Sequence, residues 1–210
     1  MIIHLLPILA LISAGLHIRA DLKQLSKQAY LFKPLTIVII ILFGIFQVSE
    51  VSFLYKVMII SGLAFSMLGD VMLMLPTDKF LQGLASFLVA HILYLIAFIS
   101  DSAFPVNYLF LIPGLIIGVI LLKILLPRVG KKTVPVIVYS MILVLLLWQS
   151  MGRLELSLSH SSLVALIGSM IFISSDIILV FNRFVKQHPY GQIYILSTYY
   201  IAQLCIAFSI

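Results

Sequence analysis

Residues 55–75 read YKVMIISGLAFSMLGDVMLML. Beyond Lys56 this stretch carries one charge, Asp70, and otherwise only apolar residues, alanine, glycine and serine. A helix that spans a bilayer needs roughly 20 predominantly apolar residues, and the run has that length. It shows none of the alternation of a barrel strand. The stretch therefore predicts a spanning helix with a carboxyl group inside it.

Working outward, the same pattern recurs. Eight apolar segments are expected, at about 1–18, 34–49, 55–75, 79–99, 106–126, 133–151, 161–181 and 191–210. Turn and charge signals separate them: Lys33-Pro34, Pro76-Thr77-Asp78-Lys79, Ser100-Asp101 with Pro105, Pro127-Arg128-Val129-Gly130-Lys131-Lys132, and Gln187-His188-Pro189. Composition agrees. The chain is 63% hydrophobic and 10% charged over 210 residues, where a soluble domain carries about 25% charged residues. A water-soluble domain of this size leaves too much surface exposed to hide that apolar content. The single cysteine, Cys205, excludes a disulfide scaffold, and the hydrophobicity excludes intrinsic disorder. The first segment lacks a basic start and a small-residue cleavage site, and Arg19 follows its apolar stretch, so it is expected as a helix and not a signal peptide. The expected fold class is all-α: a polytopic membrane protein, one integral domain over residues 1–210, built as a bundle of eight transmembrane helices.

Orientation follows from lysine and arginine near the helix ends. Connections after the first, third, fifth and seventh segments hold ten: Arg19, Lys23, Lys27, Lys33, Lys79, Arg128, Lys131, Lys132, Arg183 and Lys186. The other connections hold two, Lys56 and Arg153, and Lys123 lies inside the fifth segment. The basic loops are expected at the cytoplasm and both termini away from it, in a multi-pass protein of the cell membrane. The net charge of +6 is this positive-inside bias, so no nucleic-acid partner is expected. No protein partner is implied.

Seven acidic residues are present. Asp21, Glu50, Asp78, Asp101 and Glu155 are expected as solvated charges in connections. Asp70 and Asp176 fall inside spanning segments, where a carboxylate is costly and marks function by default. Each lies about five residues from the cytoplasmic end of its segment, roughly 7–8 Å along a helix axis. Two acids at matched depth suggest one shared site on the cytoplasmic half. The two local sequences are faintly alike, Gly69-Asp70 before Val-Met-Leu-Met and Ser175-Asp176 before Ile-Ile-Leu-Val, 106 residues apart. Chance likeness between apolar stretches accounts for this better than a duplicated four-helix unit does.

Other polar residues gather at the same depth. His91 and Tyr94, at i and i+3, share a helix face, as do Tyr199 and Gln203 at i and i+4. Tyr200 sits too deep for an interfacial belt. Tyr139, Asn182 and Lys33 lie near the cytoplasmic ends of their segments, Lys33 opening the second. Asp70, Asp176, His91, Tyr200 and Gln203 are expected to line one polar cavity. Two aspartates and a histidine are possible ligands for zinc or iron, but no H-E-x-x-H or C-x-x-C spacing supports a metal, and none is expected. There is no P-loop, no G-x-G-x-x-G and no G-x-S-x-G elbow.

At these residues the sequence resembles the YhhN-type lysoplasmalogenase family. Phe65-Ser66-Met67-Leu68-Gly69-Asp70-Val71-Met72-Leu73-Met74, then Phe80, Gly83 and Phe87, then Ala90-His91-Ile92-Leu93-Tyr94, resembles its first signature. Ser175-Asp176-Ile177-Ile178-Leu179-Val180-Phe181-Asn182-Arg183-Phe184 resembles the second, and Tyr199-Tyr200-Ile201-Ala202-Gln203 the terminal one. Lys33-Pro34 also fits. One departure is Val180, where a small residue such as Ala is expected; it alters packing beside Asp176 and leaves the chemistry intact.

The resemblance implies an eight-helix membrane enzyme that hydrolyses the vinyl-ether bond of lysoplasmalogens. The products would be a fatty aldehyde and glycerophosphoethanolamine or glycerophosphocholine. A vinyl ether hydrolyses by protonation at its β-carbon, and water attacks the resulting oxocarbenium ion. Asp70 and Asp176 can divide the work of acid and stabilising carboxylate, as the paired carboxyls of glycosidases do. His91 is expected to orient a carboxylate or accept a proton from water. Tyr94, Tyr139, Tyr199, Tyr200, Gln203 and Asn182 are expected to bind the glycerol or position water, and Lys33 or Arg183 to hold the phosphate. The partners implied are the lysophospholipid substrate and membrane lipid, with no cofactor. The alternative is a proton-coupled small transporter using the same Asp and His groups. Against it, the outer half offers little polar beyond Gln47, Gln149 and Ser150.

Overall fold

A computed structural model describes residues 2–48, 51–102, 104 and 107–210. Its α-helices are α1 (Leu5–Leu22), α2 (Ser26–Phe46), α3 (Phe53–Met74), α4 (Phe80–Ser102), α5 (Leu111–Val129), α6 (Thr133–Leu156), α7 (His160–Phe184) and α8 (Gly191–Phe208). Short 3-10 turns cover Ile2–His4, Tyr108–Phe110 and Gly130–Lys132. No strand occurs among the described residues. The break expected at Pro105 and the loop charge expected at Glu50 lie outside those residues.

By length and apolarity these helices make seven membrane-crossing runs and not the eight expected. The difference lies in one place. Tyr108–Leu156 is a single 49-residue run, because the Gly130–Lys132 3-10 turn joins α5 directly to α6 with no other connection between them. Straight, such a run would extend about 70 Å at 1.5 Å per residue, more than twice the hydrocarbon core of roughly 30 Å. It doubles back at Gly130, whose φ of 53° and ψ of −123° suit a residue without Cβ. α5 then lies along α6.

Several helix ends differ from expectation. α2 begins at Ser26, so Lys33 and Pro34 sit inside it and not before it. A membrane helix tolerates such a proline; beside it, Ser13 and Thr36 hydroxyls both donate to the Phe32 carbonyl (3.4 and 2.7 Å). Asp21, Asp101 and Glu155 belong to the last turns of α1, α4 and α6, not to connections. Polar caps set other ends. Ser52 accepts from the Tyr55 amide, and Ser159 and Ser162 form a reciprocal capping box at the start of α7.

The helices pair as hairpins, α1 with α2, α3 with α4, α5 with α6 and α7 with α8, and α8 returns to pack on α1, α2 and α3. Lipid tails are as apolar as leucine, so close packing, not water exclusion, holds such helices together. Gly69 shows how close: a Cβ there would lie 2.7 Å from the Phe87 ring. The absent methyl lets α3 and α4 meet beside Asp70. Apolar side chains such as Ile8, Leu115 and Ile120 point outward and are more than half exposed, as lipid-facing residues should be.

Candidate active site

Six helices, α1 to α4 with α7 and α8, enclose a cavity of about 560 Å³. Its mouth is edged by Gln24, Ser26 and Gln187, from the ends of the α1–α2 and α7–α8 connections. This is the end of the bundle that carries the basic loops. Asp70 and Asp176 both line the cavity, 2% and 7% exposed. The two acids that the sequence placed at matched depth therefore do share one enclosure.

Their partners differ. Asp70 has a donor on each oxygen: Lys33 Nζ lies 3.2 Å from Oδ1, and the Tyr199 hydroxyl donates to Oδ2 at 2.7 Å. Asp176 has both contacts on Oδ2. The Tyr139 hydroxyl donates to it at 2.8 Å, and His91 Nε2 lies 3.7 Å away, beyond hydrogen-bond reach. His91 Nδ1 is 2.7 Å from the Phe87 carbonyl. A carbonyl only accepts, so Nδ1 carries the hydrogen.

Lys33 also lines the cavity. It is only 5% exposed and spends its ammonium on Asp70. The reason is its place inside α2, about two turns beyond the opening Ser26. Arg183 does stand at the mouth, half-exposed, donating to Asp78 at 2.7 Å. Asn182 lines the cavity and accepts from the His188 amide at 2.8 Å.

The expected lining is only partly met. His91, Tyr94, Tyr200 and Gln203 do not face the cavity; they form a layer behind its wall. There the Tyr94 hydroxyl donates to Gln203 at 2.8 Å, and Phe172 stands edge-on to His91, Phe87 and Tyr199. Their helical faces turn toward the bundle axis, where aromatic packing takes them up. Tyr139 reaches Asp176 from a narrow apolar crevice between α4, α6 and α7, bounded also by Leu84, Leu179 and Val180. Among the described residues, no group of three or more His, Cys, Asp or Glu is placed to hold a metal ion.

Two features escaped the sequence reading. His17 is buried on α1, lines the cavity, and shares a 2.8 Å hydrogen bond with Tyr200 through Nδ1. It has the same signal as His91, a histidine within an apolar run. Asp21, one turn further on, also lines the cavity. At the opposite end, Arg153 is 1% exposed, bonds Asp101 (2.7 and 2.9 Å) and Ser161 (2.8 Å), and lies over the Tyr55 ring. Sequence alone placed both in connections, because it ended α4 and α6 too early; Asp101 is exposed as expected, and Arg153 is buried.

Comparison with known proteins gives one family. The profile of the YhhN family matches residues 28–210. Lysoplasmalogenase TMEM86A of Bos taurus is 34% identical over 156 residues, 70% of this chain and 62% of its own length. Lysoplasmalogenase TMEM86B of Homo sapiens is 32% identical over 192 residues, 89% of this chain and 76% of its own. The uncharacterized membrane protein YhhN of Escherichia coli O157:H7 is 26% identical over 168 residues, 78% of each. The match thus spans just under two thirds of the bovine relative. No solved structure matches.

Proposed function

The chain belongs to the YhhN family, and from that premise we propose that it hydrolyses the vinyl-ether bond of lysoplasmalogens, releasing a fatty aldehyde and glycerophosphoethanolamine or glycerophosphocholine. The observation that carries this reading is the pair of buried carboxyls, Asp70 and Asp176, on one cavity in a multi-pass membrane protein. The lysoplasmalogenases among its relatives support it.

The chemistry suits such a pair. One carboxyl donates its proton to the β-carbon; the π electrons form the new C–H bond and the ether oxygen's lone pair makes an oxocarbenium ion. The other carboxylate faces that cation, the largest single kind of help an enzyme site offers. Water adds its oxygen to the cationic carbon and returns a proton to the first carboxylate. The hemiacetal then breaks its bond to the glycerol oxygen, which takes the hemiacetal proton as the aldehyde leaves. No redox change occurs, so no redox cofactor is needed.

Arg183 at the mouth is proposed to hold the phosphate, with Asn182 beside it, while Tyr199 supports Asp70 and Tyr139 supports Asp176. Tyr94, Tyr200 and Gln203 hold that wall in place from behind. The apolar side chains of the cavity wall, Leu73, Phe80 and Leu179 among them, are proposed to take the alkenyl chain. From the ten-to-two bias of basic residues, the mouth faces the cytoplasm and both termini face away.

The test is direct. Purified protein in lipid is given lysoplasmalogen, and aldehyde is measured. The saturated alkyl-ether analogue must be inert, because it has no carbon to protonate. Absence of aldehyde from the vinyl ether in every lipid and detergent tried would reject the reading.

A further inference from the structure

We propose that the neighbours of the two carboxyls hold them in different charge states: Lys33 and Tyr199 keep Asp70 as the fixed anion, and His91 keeps on Asp176 the proton that the reaction spends. For its substrate the inference rests on the vinyl-ether reading; for the charge states it rests on geometry alone.

Asp70 meets only donors. A buried ammonium stands at one oxygen and a hydroxyl donates to the other. A carboxylate accepts at both oxygens, whereas a carboxylic acid would turn a third donor into this cluster. Neutralising Asp70 would also strand the Lys33 charge, 5% exposed, without its partner.

Asp176 meets the opposite situation. Among the described residues, no lysine or arginine pairs with it. Facing its Oδ2 at 3.7 Å is His91 Nε2, a buried nitrogen with no hydrogen-bond partner. Because Nδ1 already carries a hydrogen toward the Phe87 carbonyl, Nε2 of the neutral ring is a bare lone pair. A lone pair and a carboxylate oxygen, both buried, would be two acceptors sharing no proton. Buried polar atoms are rarely left so. A proton on Asp176 removes the conflict, because the neutral carboxyl group then sets no anion against the lone pair 3.7 Å away. That proton is the one the reaction spends. Oδ1 carries neither contact, and Asp176 lines the cavity where substrate would lie.

In the reaction, the Asp176 O–H bond breaks and its proton forms the C–H bond at the β-carbon. Asp70 faces the cation this leaves. The attacking water returns its proton to Asp176, which restores the starting count. Lys33 and His91 are positioning residues: each sets the state of the carboxyl beside it.

Infrared spectra of the resting protein in lipid test this without substrate. A protonated carboxyl has a C=O stretch that shifts in deuterated water. The parent is expected to show it, Asp176→Asn to lose it and Asp70→Asn to keep it. Lys33→Met is expected to add a second such band, because Asp70 must then take up a proton, whereas Lys33→Arg should add none. A band that survives Asp176→Asn, or that disappears with Asp70→Asn, overturns the assignment. So does a Lys33→Met protein with the parent's helical circular dichroism and no added band. If Lys33→Met does not fold, the two Asn variants, which are nearly isosteric, decide the matter. Turnover supplies an independent readout. Residual aldehyde release should rise in proportion to hydronium in Asp176→Asn, while Asp70→Asn keeps the parent's solvent isotope effect; the reverse pattern overturns the proposal. Loss of the infrared result with aldehyde release intact removes the assignment and leaves the hydrolase reading standing. Silence in the aldehyde assay with the infrared result intact does the opposite.

Discussion

Lys33 Nζ lies 3.2 Å from Asp70 Oδ1, and the two side chains are 7% and 3% exposed. A lysine from α2 and an aspartate from α3 thus form a shielded ion pair inside a membrane helix bundle. Taking both charges out of water is expensive, and their mutual attraction repays it only with further hydrogen bonds. Tyr199 supplies one of these from α8. The pair ties three helices together at the wall of the cavity, and the lysine has little freedom left for substrate.

Asp70→Asn and Asp176→Asn are each expected to abolish most turnover while the protein still inserts and folds. Asn keeps the size but neither donates an acidic proton nor carries a negative charge. Loss of a positioned acid costs about 10²–10⁴-fold. Groups acting as a unit lose activity non-additively, so the double variant should be scarcely worse than the poorer single one. Steady-state aldehyde release, with insertion checked by membrane fractionation, measures this.

The parent's rate should follow a bell-shaped pH profile. On the alkaline side the acid loses the proton it must donate; on the acid side the anion is neutralised. The two limbs report the site as a whole. In the Asn variants one limb should vanish. A flat profile in the parent would count against two-carboxyl catalysis.

Arg183 and Lys33 should separate kinetically. Arg183→Gln removes a rim charge and is expected to raise KM for the phosphate-bearing substrate with kcat nearly kept, because such a contact is made equally before and during reaction. Lys33→Met is expected to lower kcat, with Lys33→Arg recovering part of it. Initial rates over a substrate series distinguish the two outcomes.

Asp101→Ala should destabilise the fold by about 3 kcal/mol, since it leaves a buried guanidinium without its carboxylate. Replacing Arg153 with Met in the same chain should restore much of that loss. Thermal unfolding in detergent measures both. Per-molecule turnover of the folded fraction should be unchanged, because this cluster lies at the other end of the bundle from the cavity.

Gly69→Ala should cost about 1–3 kcal/mol, the usual range for overpacking. The added methyl would sit 2.7 Å from the Phe87 ring, which lines the cavity. Both stability and turnover should fall, and a smaller residue at 87, such as Leu, should recover part of the stability.

Much of the site was legible because intramembrane charge is rare and costly. Asp70 and Asp176 stood out for that reason alone, and their shared cavity followed from matched depth. Arg153 was misplaced because helix ends are soft in apolar sequence: one more turn on α6 buries it, paired with an Asp101 that stays exposed at the end of α4. His17 was passed over although Ser13 and Asp21 stand at i−4 and i+4 from it, because the first segment holds no intramembrane acid to draw attention to it. Its partner, Tyr200, is 183 residues away in the chain, and nothing local announces such a bond.

The sequence by itself determined the membrane-spanning all-α class, the ten-to-two charge bias and the presence of two buried acids. These depend on composition and local order: hydropathy, lengths and the cost of charge in lipid. Only the tertiary structure decided who stands beside each acid. Lys33 stands beside Asp70 in the cavity wall because α2 begins at Ser26 and not at Pro34, and the residues at the Asp176 carboxyl come from α4 and α6. Which donors and acceptors meet a buried carboxyl depends on how helices far apart in the chain rotate against one another, and no local pattern encodes that.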